Sequence, residues 1–134
     1  MEPQSCVTIQ NEWDIVGARQ LGREMAKDVG FSTVDQARIA TAISELARNI
    51  YLYAEQGSIK FEIVQTEHHK AGLCLMAEDD GPGISDISEV LKDGFSTSGG
   101  LGSGLPGVRR LMDEFEIHSE VGKGTKITAI KWLK

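Results

Sequence analysis

The spacing of apolar residues changes several times along this chain, and each change marks a structural element. Residues 5–10 (SCVTIQ) alternate apolar and polar, the period-two pattern of a short strand. From Glu12 to Val29 the period lengthens. Ile15, Ala18, Gly22, Met25 and Val29 recur at three- and four-residue steps, which predicts an amphipathic helix closed by Gly30. Thr33 followed by Gln36 has the form of a capping box that opens a second helix over about 33–54. Its buried stripe is Ile39, Ile43, Leu46 and Ile50, with Ala40, Ala47 and Ala54 beside it. At about 100° per residue, Arg38, Ala42, Glu45 and Asn49 form a second stripe alongside the apolar one. Glu45 and Asn49 therefore share a face, one turn apart, at the edge of the buried seam.

Period-two alternation returns at Gly57–Gln65 (Ile59, Phe61, Ile63) and at Leu73–Glu78 (Leu73, Leu75, Ala77). The polar link between them reads as a hairpin, with His68 and His69 in a solvated turn. From Asp79 to Gly104 the chain is rich in Gly, Ser, Asp and Pro, interrupted by the apolar patch Ile87–Leu91. A connection this long in a compact domain is usually functional, so a lid over a ligand is expected at about 84–104. Pro106 suits the first turn of a helix running to about Glu114, and 115–121 with 124–133 make a final hairpin around Gly122–Gly124. The order β-α-α-β-β-lid-α-β-β predicts one α/β domain over 1–134: a two-layer sandwich with a mixed, mostly antiparallel sheet and helices on one face.

Composition adds limits rather than a fold. The 134 residues are 40% apolar, enough for one core without a disulfide or structural metal. A net charge of -6 argues against a nucleic-acid backbone as partner, although backbone amides and a divalent cation still hold a small anion on an acidic protein. Cys6 and Cys74 form no C-x-x-C pair and read as ordinary part-buried thiols. The N-terminus lacks a signal-peptide pattern, and no run approaches the roughly 18 apolar residues of a membrane span. A cytoplasmic protein that touches no membrane is expected.

Three separated segments carry chemistry. The carboxylate of Glu45 and the amide of Asn49 are hard oxygen donors suited to Mg²⁺, and the carboxylate is also a proton acceptor for an attacking hydroxyl. Asp79-Asp80-Gly81-Pro82-Gly83 follows an apolar strand, so a carboxylate there is placed to accept from an exocyclic amine while glycines let the backbone turn close by. Gly99–Gly107 is glycine-rich backbone leading into a helix, an arrangement that cradles phosphate. Within it Gly102-Ser103-Gly104-Leu105-Pro106-Gly107 formally fits G-x-G-x-x-G, but it follows the polar run Phe95–Gly100 and not a buried strand, which excludes a dinucleotide fold. The lysine of a P-loop is absent.

In this order and spacing the segments resemble the GHKL (Bergerat) superfamily of ATPases and kinases. Glu45-Leu46-Ala47-Arg48-Asn49 is similar to its N box, Asp79-x-Gly81-x-Gly83 to its first glycine box and Gly100-Leu101-Gly102-Ser103-Gly104 to its second. Gly122-Lys123-Gly124-Thr125 resembles its Gly-Thr signature. Longer stretches (Glu12–Val16, Val34–Ala54, Gly94–Gly100, Gly104–Gly107 and Arg110–Phe115) resemble the minimal serine kinases of bacterial stress signalling, of the anti-sigma-factor kinase type. No histidine-kinase dimerisation segment or second transducer domain fits within 134 residues, as expected of such a minimal kinase and not of a clamp or repair ATPase.

The resemblance implies a protein serine/threonine kinase using ATP and Mg²⁺. Asn49 would hold the metal, and Asp79 would bond the adenine amine with Gly81 and Gly83 leaving room for the base. Gly100, Leu101, Gly102, Ser103 and Gly104 would wrap the phosphates. Thr125 would support the adenine end, and Glu45 would be the general base. It further implies STAS-domain proteins of the stressosome as substrates and anchors, and a PP2C-type phosphatase as a later partner. The alternative is a nucleotide-dependent anti-sigma-type binding module without essential phosphotransfer. The lid patch Ile87–Phe95 is the expected substrate side. One departure stands out: related kinases carry an arginine just before the second glycine box, where this chain reads Ser96-Thr97-Ser98-Gly99. Its nearest cations by sequence are Lys92, Arg109 and Arg110.

Overall fold

A computed structural model describes residues 4–54, 56–68, 71–83 and 104–134. Strand β1 (Gln4–Ile9) leads into helix α1 (Glu12–Val29). A capping box opens that helix: the Asn11 side chain accepts from the Asp14 N–H at 3.2 Å, and Asp14 Oδ2 accepts from the Asn11 N–H at 3.1 Å. Gly30 closes it at φ 111°, donating its N–H to the carbonyls of Ala26 and Lys27.

Helix α2 (Thr33–Tyr53) occupies almost the predicted span, but its cap differs. Ser32, not Thr33, is the N-cap and accepts from the Asp35 N–H at 3.1 Å. Gln36 is thereby released from the box and donates instead to the Phe31 carbonyl. The expected stripe Ile39, Ile43, Leu46 and Ile50 is buried. The two helices approach closely where α1 carries Gly22, since a Cβ there would collide with Ile43 and touch Phe61 at 3.0 Å.

Strands β2 (Gly57–Val64), β3 (Gly72–Asp79), β4 (Glu114–Glu120) and β5 (Gly124–Trp132) complete a five-stranded sheet in the order β1-β2-β3-β5-β4. The expected sheet was mixed and mostly antiparallel; all four of these pairings are antiparallel. Part of the reason lies in the connections, because the hairpin of α1 and α2 returns the chain beside β1 in the opposite sense and short links join β2 to β3 and β4 to β5. Strand β3, by contrast, meets β5 across a stretch that includes a further helix and β4. Ile59, Phe61, Leu73, Leu75, Ala77, Ile127 and Ala129 face α1 and α2 and form the core with them. The other face is open, and edge strand β4 sets Glu114, Glu116, His118 and Glu120 outward, a charged edge of the kind that discourages further pairing.

Helix α3 (Leu105–Leu111) is shorter than expected. Met112 turns extended at φ -103°, and the Asp113 N–H already bonds the Ile130 carbonyl, so the chain has joined the sheet before Glu114. The cysteines also part company. Cys6, on edge strand β1, is exposed, while Cys74, on central strand β3, is buried. The part-buried reading is therefore corrected for both. No helix among the described residues is long and apolar enough to cross a membrane.

Candidate nucleotide site

The Asp79–Gly83 segment packs against the C-terminal end of α2, the helix that carries Glu45 and Asn49. Glu45 lies on its buried side with only 5% of its surface exposed, and Asn49, one turn on, is half-buried. The Glu45 carboxylate is held by Arg48, whose Nη1 lies 3.2 Å from Oε1. Thus the edge-of-seam position expected for the pair is realised, with Glu45 deeper than Asn49. Arg48 was not among the expected site residues, although its place three residues after Glu45 was a readable signal.

Asp79 ends β3 beside the last turns of α2. A Cβ on neighbouring Gly57 would touch both the Asp79 Cβ and the Ile50 Cγ2 at 2.9 Å, so these two side chains flank the same point. Two backbone donors fix the Asp79 carboxyl: the Gly81 N–H at 2.8 Å and the Thr125 N–H across the β3–β5 ladder. Its pKa is nevertheless raised above the ordinary 3.8, because burial outweighs the two donors and Asp80 adds negative charge. A carboxyl in this position keeps acceptor capacity that its backbone partners do not use.

The glycines around it have reasons that need no ligand. A Cβ on Gly81 would meet Ala54 Cβ at 2.9 Å and the Tyr53 carbonyl at 3.1 Å. Gly83 has φ +80°, and a Cβ there would run into the Glu120 carbonyl. Gly124, at φ +115°, crosses so close to Asp79 that a side chain would overlap its carbonyl oxygen. The first glycine box is therefore clamped between the end of α2 and the β4–β5 turn, where the Gly122 N–H also bonds the Pro82 carbonyl at 2.9 Å. Thr125 is 8% exposed, and its hydroxyl pairs with Ser119 Oγ at 2.8 Å. Ser119 was missed because only the register of β4 on β5 places it opposite Thr125.

Of the second glycine box, Gly100, Leu101, Gly102 and Ser103 lie outside the described residues, as do most of the expected lid, including Ile87–Phe95, Lys92 and 96–99. Gly104 is described: it caps α3 at φ 66° with no side-chain bond, and α3 packs against α2. Arg109 and Arg110 are exposed. A groove of about 460 Å³ beside Asp79 and Thr125 also takes in Glu78, His118 and Lys126 from the open face of the sheet. It includes no residue of α2, the helix that carries Glu45 and Asn49. No cluster of three His, Cys, Asp or Glu side chains fit to hold a metal occurs among the described residues. What is present, an amide oxygen and a carboxylate, suits a Mg²⁺ that takes most of its ligands from phosphate and water.

Comparison with known proteins agrees with this fold. Residues 34–134 match the family of histidine kinase-, DNA gyrase B- and HSP90-like ATPases. The catalytic domain of histidine kinase ThkA superposes with a TM-score of 0.56 at 15% identity, covering 96% of this chain and 95% of that one. The mycobacterial sensor histidine kinase MprB gives 0.55 at 14%, covering 98% and 97%. The chain belongs to the GHKL ATPase family. Within it, the chain is 67% identical to serine/threonine-protein kinase RsbT of Bacillus subtilis (strain 168) over the whole length of both proteins, which makes it an RsbT homologue of the serine/threonine kinase type. It is also 28% identical to an anti-sigma F factor of Caldanaerobacter subterraneus over 72% of this chain and 70% of that protein.

Proposed function

We propose that this chain transfers the γ-phosphoryl group of Mg²⁺-bound ATP to a serine or threonine hydroxyl on STAS-domain proteins of the stressosome. Released from them, it binds and activates a PP2C-type phosphatase, all in the cytoplasm. The observation that carries the chemical part is the buried, Arg48-bound Glu45 carboxylate one turn from Asn49, on the helix against which the Asp79 box is clamped. The biological partners rest on the 67% identity to RsbT.

The roles follow from chemistry at each position. Asp79 accepts a hydrogen bond from the adenine amine, held in place by its two backbone donors, and Thr125 with Ser119 supports that end of the site. The described Gly104 continues into the Gly100–Ser103 stretch proposed to wrap the phosphates. Asn49 supplies an oxygen to Mg²⁺, which when bound neutralises phosphate charge. Glu45 takes the proton of the attacking hydroxyl as its oxygen bonds to the γ-phosphorus. The bond from that phosphorus to the bridging oxygen breaks, and ADP leaves with the electron pair.

The test is transfer of label from γ-labelled ATP with Mg²⁺ to a cognate STAS-domain protein. Glu45→Gln should lower transfer by about 10²–10⁴-fold while ATP affinity stays within about threefold. Absence of transfer by the parent protein, with ATP binding intact, overturns the kinase reading. It would favour instead the nucleotide-dependent binding module, which the likeness to anti-sigma F factors supports.

A further inference from the structure

The general base of the proposed reaction does not stand alone. Glu45 is nearly inaccessible, and among the described residues its polar partner is Arg48, reached through Oε1 at 3.2 Å. We propose that Arg48 is a positioning residue for phosphotransfer, locking the Glu45 carboxylate in the orientation from which it meets the substrate hydroxyl; this rests on the reading of Glu45 as base.

A second pair on the same helix shows what an ordinary bridge of this spacing looks like. Arg38 bonds Asp35 at 2.9 Å near the start of α2, with both side chains reaching solvent and no site residue beside them. Exposed i, i+3 pairs of that kind contribute little. The Arg48 pair differs in two respects. Its acid is buried, with 5% exposure against 34% for Arg48, so the long side chain folds down from the rim onto a carboxylate that water scarcely reaches. Its acid also lies one turn from Asn49, on the helix whose C-terminal end packs against the Asp79 box.

The bond engages Oε1 alone, and Oε2 has no partner among the described residues. A carboxylate tethered by one oxygen presents the other in a fixed direction. This is the geometry a proton acceptor needs, since alignment of reacting groups governs much of the rate. Glutamate on its own has three rotatable side-chain bonds, and a Glu45 freed from Arg48 would sample orientations from which no hydroxyl is reached.

A double-mutant cycle on the full chain tests this, using single-turnover transfer from labelled ATP to the STAS-domain protein, with ATP affinity read by a fluorescent analogue. Arg48→Met should lower kcat by about 10- to 100-fold with KM for ATP unchanged within about twofold. Arg48→Lys, which keeps a donor, should recover most of that loss, and Arg38→Met should leave the rate as it was. In a Glu45→Gln background Arg48→Met should have no further effect, because its target carboxylate is gone. The proposal is overturned if Arg48→Met is silent while Glu45→Gln is inactive. It also fails if the Arg48 loss persists in full on the Glu45→Gln background, or if ATP affinity alone falls. Full activity of Glu45→Gln would instead refute the base reading itself. Melting temperatures of the four single variants and of the double mutant guard against a loss due to unfolding.

Discussion

Replacing Asp79 by asparagine keeps shape and volume and removes one charge, so its consequences divide cleanly between folding and binding. For folding, the sign follows from the raised pKa. Burial holds the folded carboxyl above its unfolded value of 3.8, so the folded state binds the proton more tightly. The stability this contributes is complete below 3.8 and is lost as pH rises through the folded value. At neutral pH the charge of Asp79 therefore opposes folding. The asparagine side chain has no charge to bury, and its carbonyl oxygen still accepts from the N–H groups of Gly81 and Thr125. The melting temperature of Asp79→Asn at pH 7 should equal or exceed that of the parent, and its advantage should shrink toward pH 4.

For binding, the sign is opposite. With its oxygen turned to the two backbone donors, the new amide presents N–H groups where the adenine amine also donates. Loss of a hydrogen bond to a charged acceptor is worth about 1.5–3 kcal/mol, which is roughly 10- to 150-fold in ATP affinity. Titration calorimetry with ATP and with ITP, which lacks the exocyclic amine, separates this from general damage. The parent should prefer ATP by about that factor, and Asp79→Asn should lose the preference. An ATP affinity within threefold of the parent would remove Asp79 from base recognition. A melting temperature lower by several degrees would show that the carboxylate holds the fold, not the ligand.

Two glycines should respond to alanine with opposite signs. Gly124→Ala, at φ +115° and overlapping the Asp79 carbonyl, should destabilise by at least about 2 kcal/mol. Gly17→Ala, on α1 with open space around it, should stabilise by about 0.5–1 kcal/mol; denaturant midpoints of the two variants, taken with one slope, check both values. The thiols should separate equally clearly under Ellman's reagent at pH 8. Exposed Cys6 should react at once and Cys74 only as the chain unfolds, because burial first and then the Glu62 and Glu114 carboxylates push its thiol up. Rates within threefold of each other would refute the assigned burial.

Much of this is legible in the amino-acid sequence alone, for a simple reason. Helices and strands announce themselves by local periodicity, so α1, α2 and the strands fell within a few residues of their observed bounds. The stripe bearing Glu45 and Asn49 was readable because helix geometry fixes which residues share a face. Ends were harder. Ser32 in place of Thr33, and Leu111 in place of Glu114, were each decided by a competing bond that spacing does not reveal. Least legible was whatever depends on register between distant strands. The pairing of Ser119 with Thr125 and the collision of any residue 124 side chain with Asp79 follow from β3, β4 and β5 lying side by side.

That register also changes the meaning of the glycines. Read in sequence, Gly81 and Gly83 leave room for a flat base; in the fold, the end of α2 and the β4–β5 turn already occupy the space their side chains would need. The two readings lead to one arrangement. Close packing of protein on the glycines fixes the backbone on both sides of Asp79, and a fixed carboxyl with spare acceptor capacity is what recognition of an amine requires. The proposed base recognition would thus rest on the sheet and its turn, whereas Glu45, Arg48 and Asn49 rest on one helix. The halves meet where Ile50, one residue beyond Asn49, lies beside Asp79. A substitution in either half should therefore divide affinity from turnover, while one that shifts α2 against β3 should damage both.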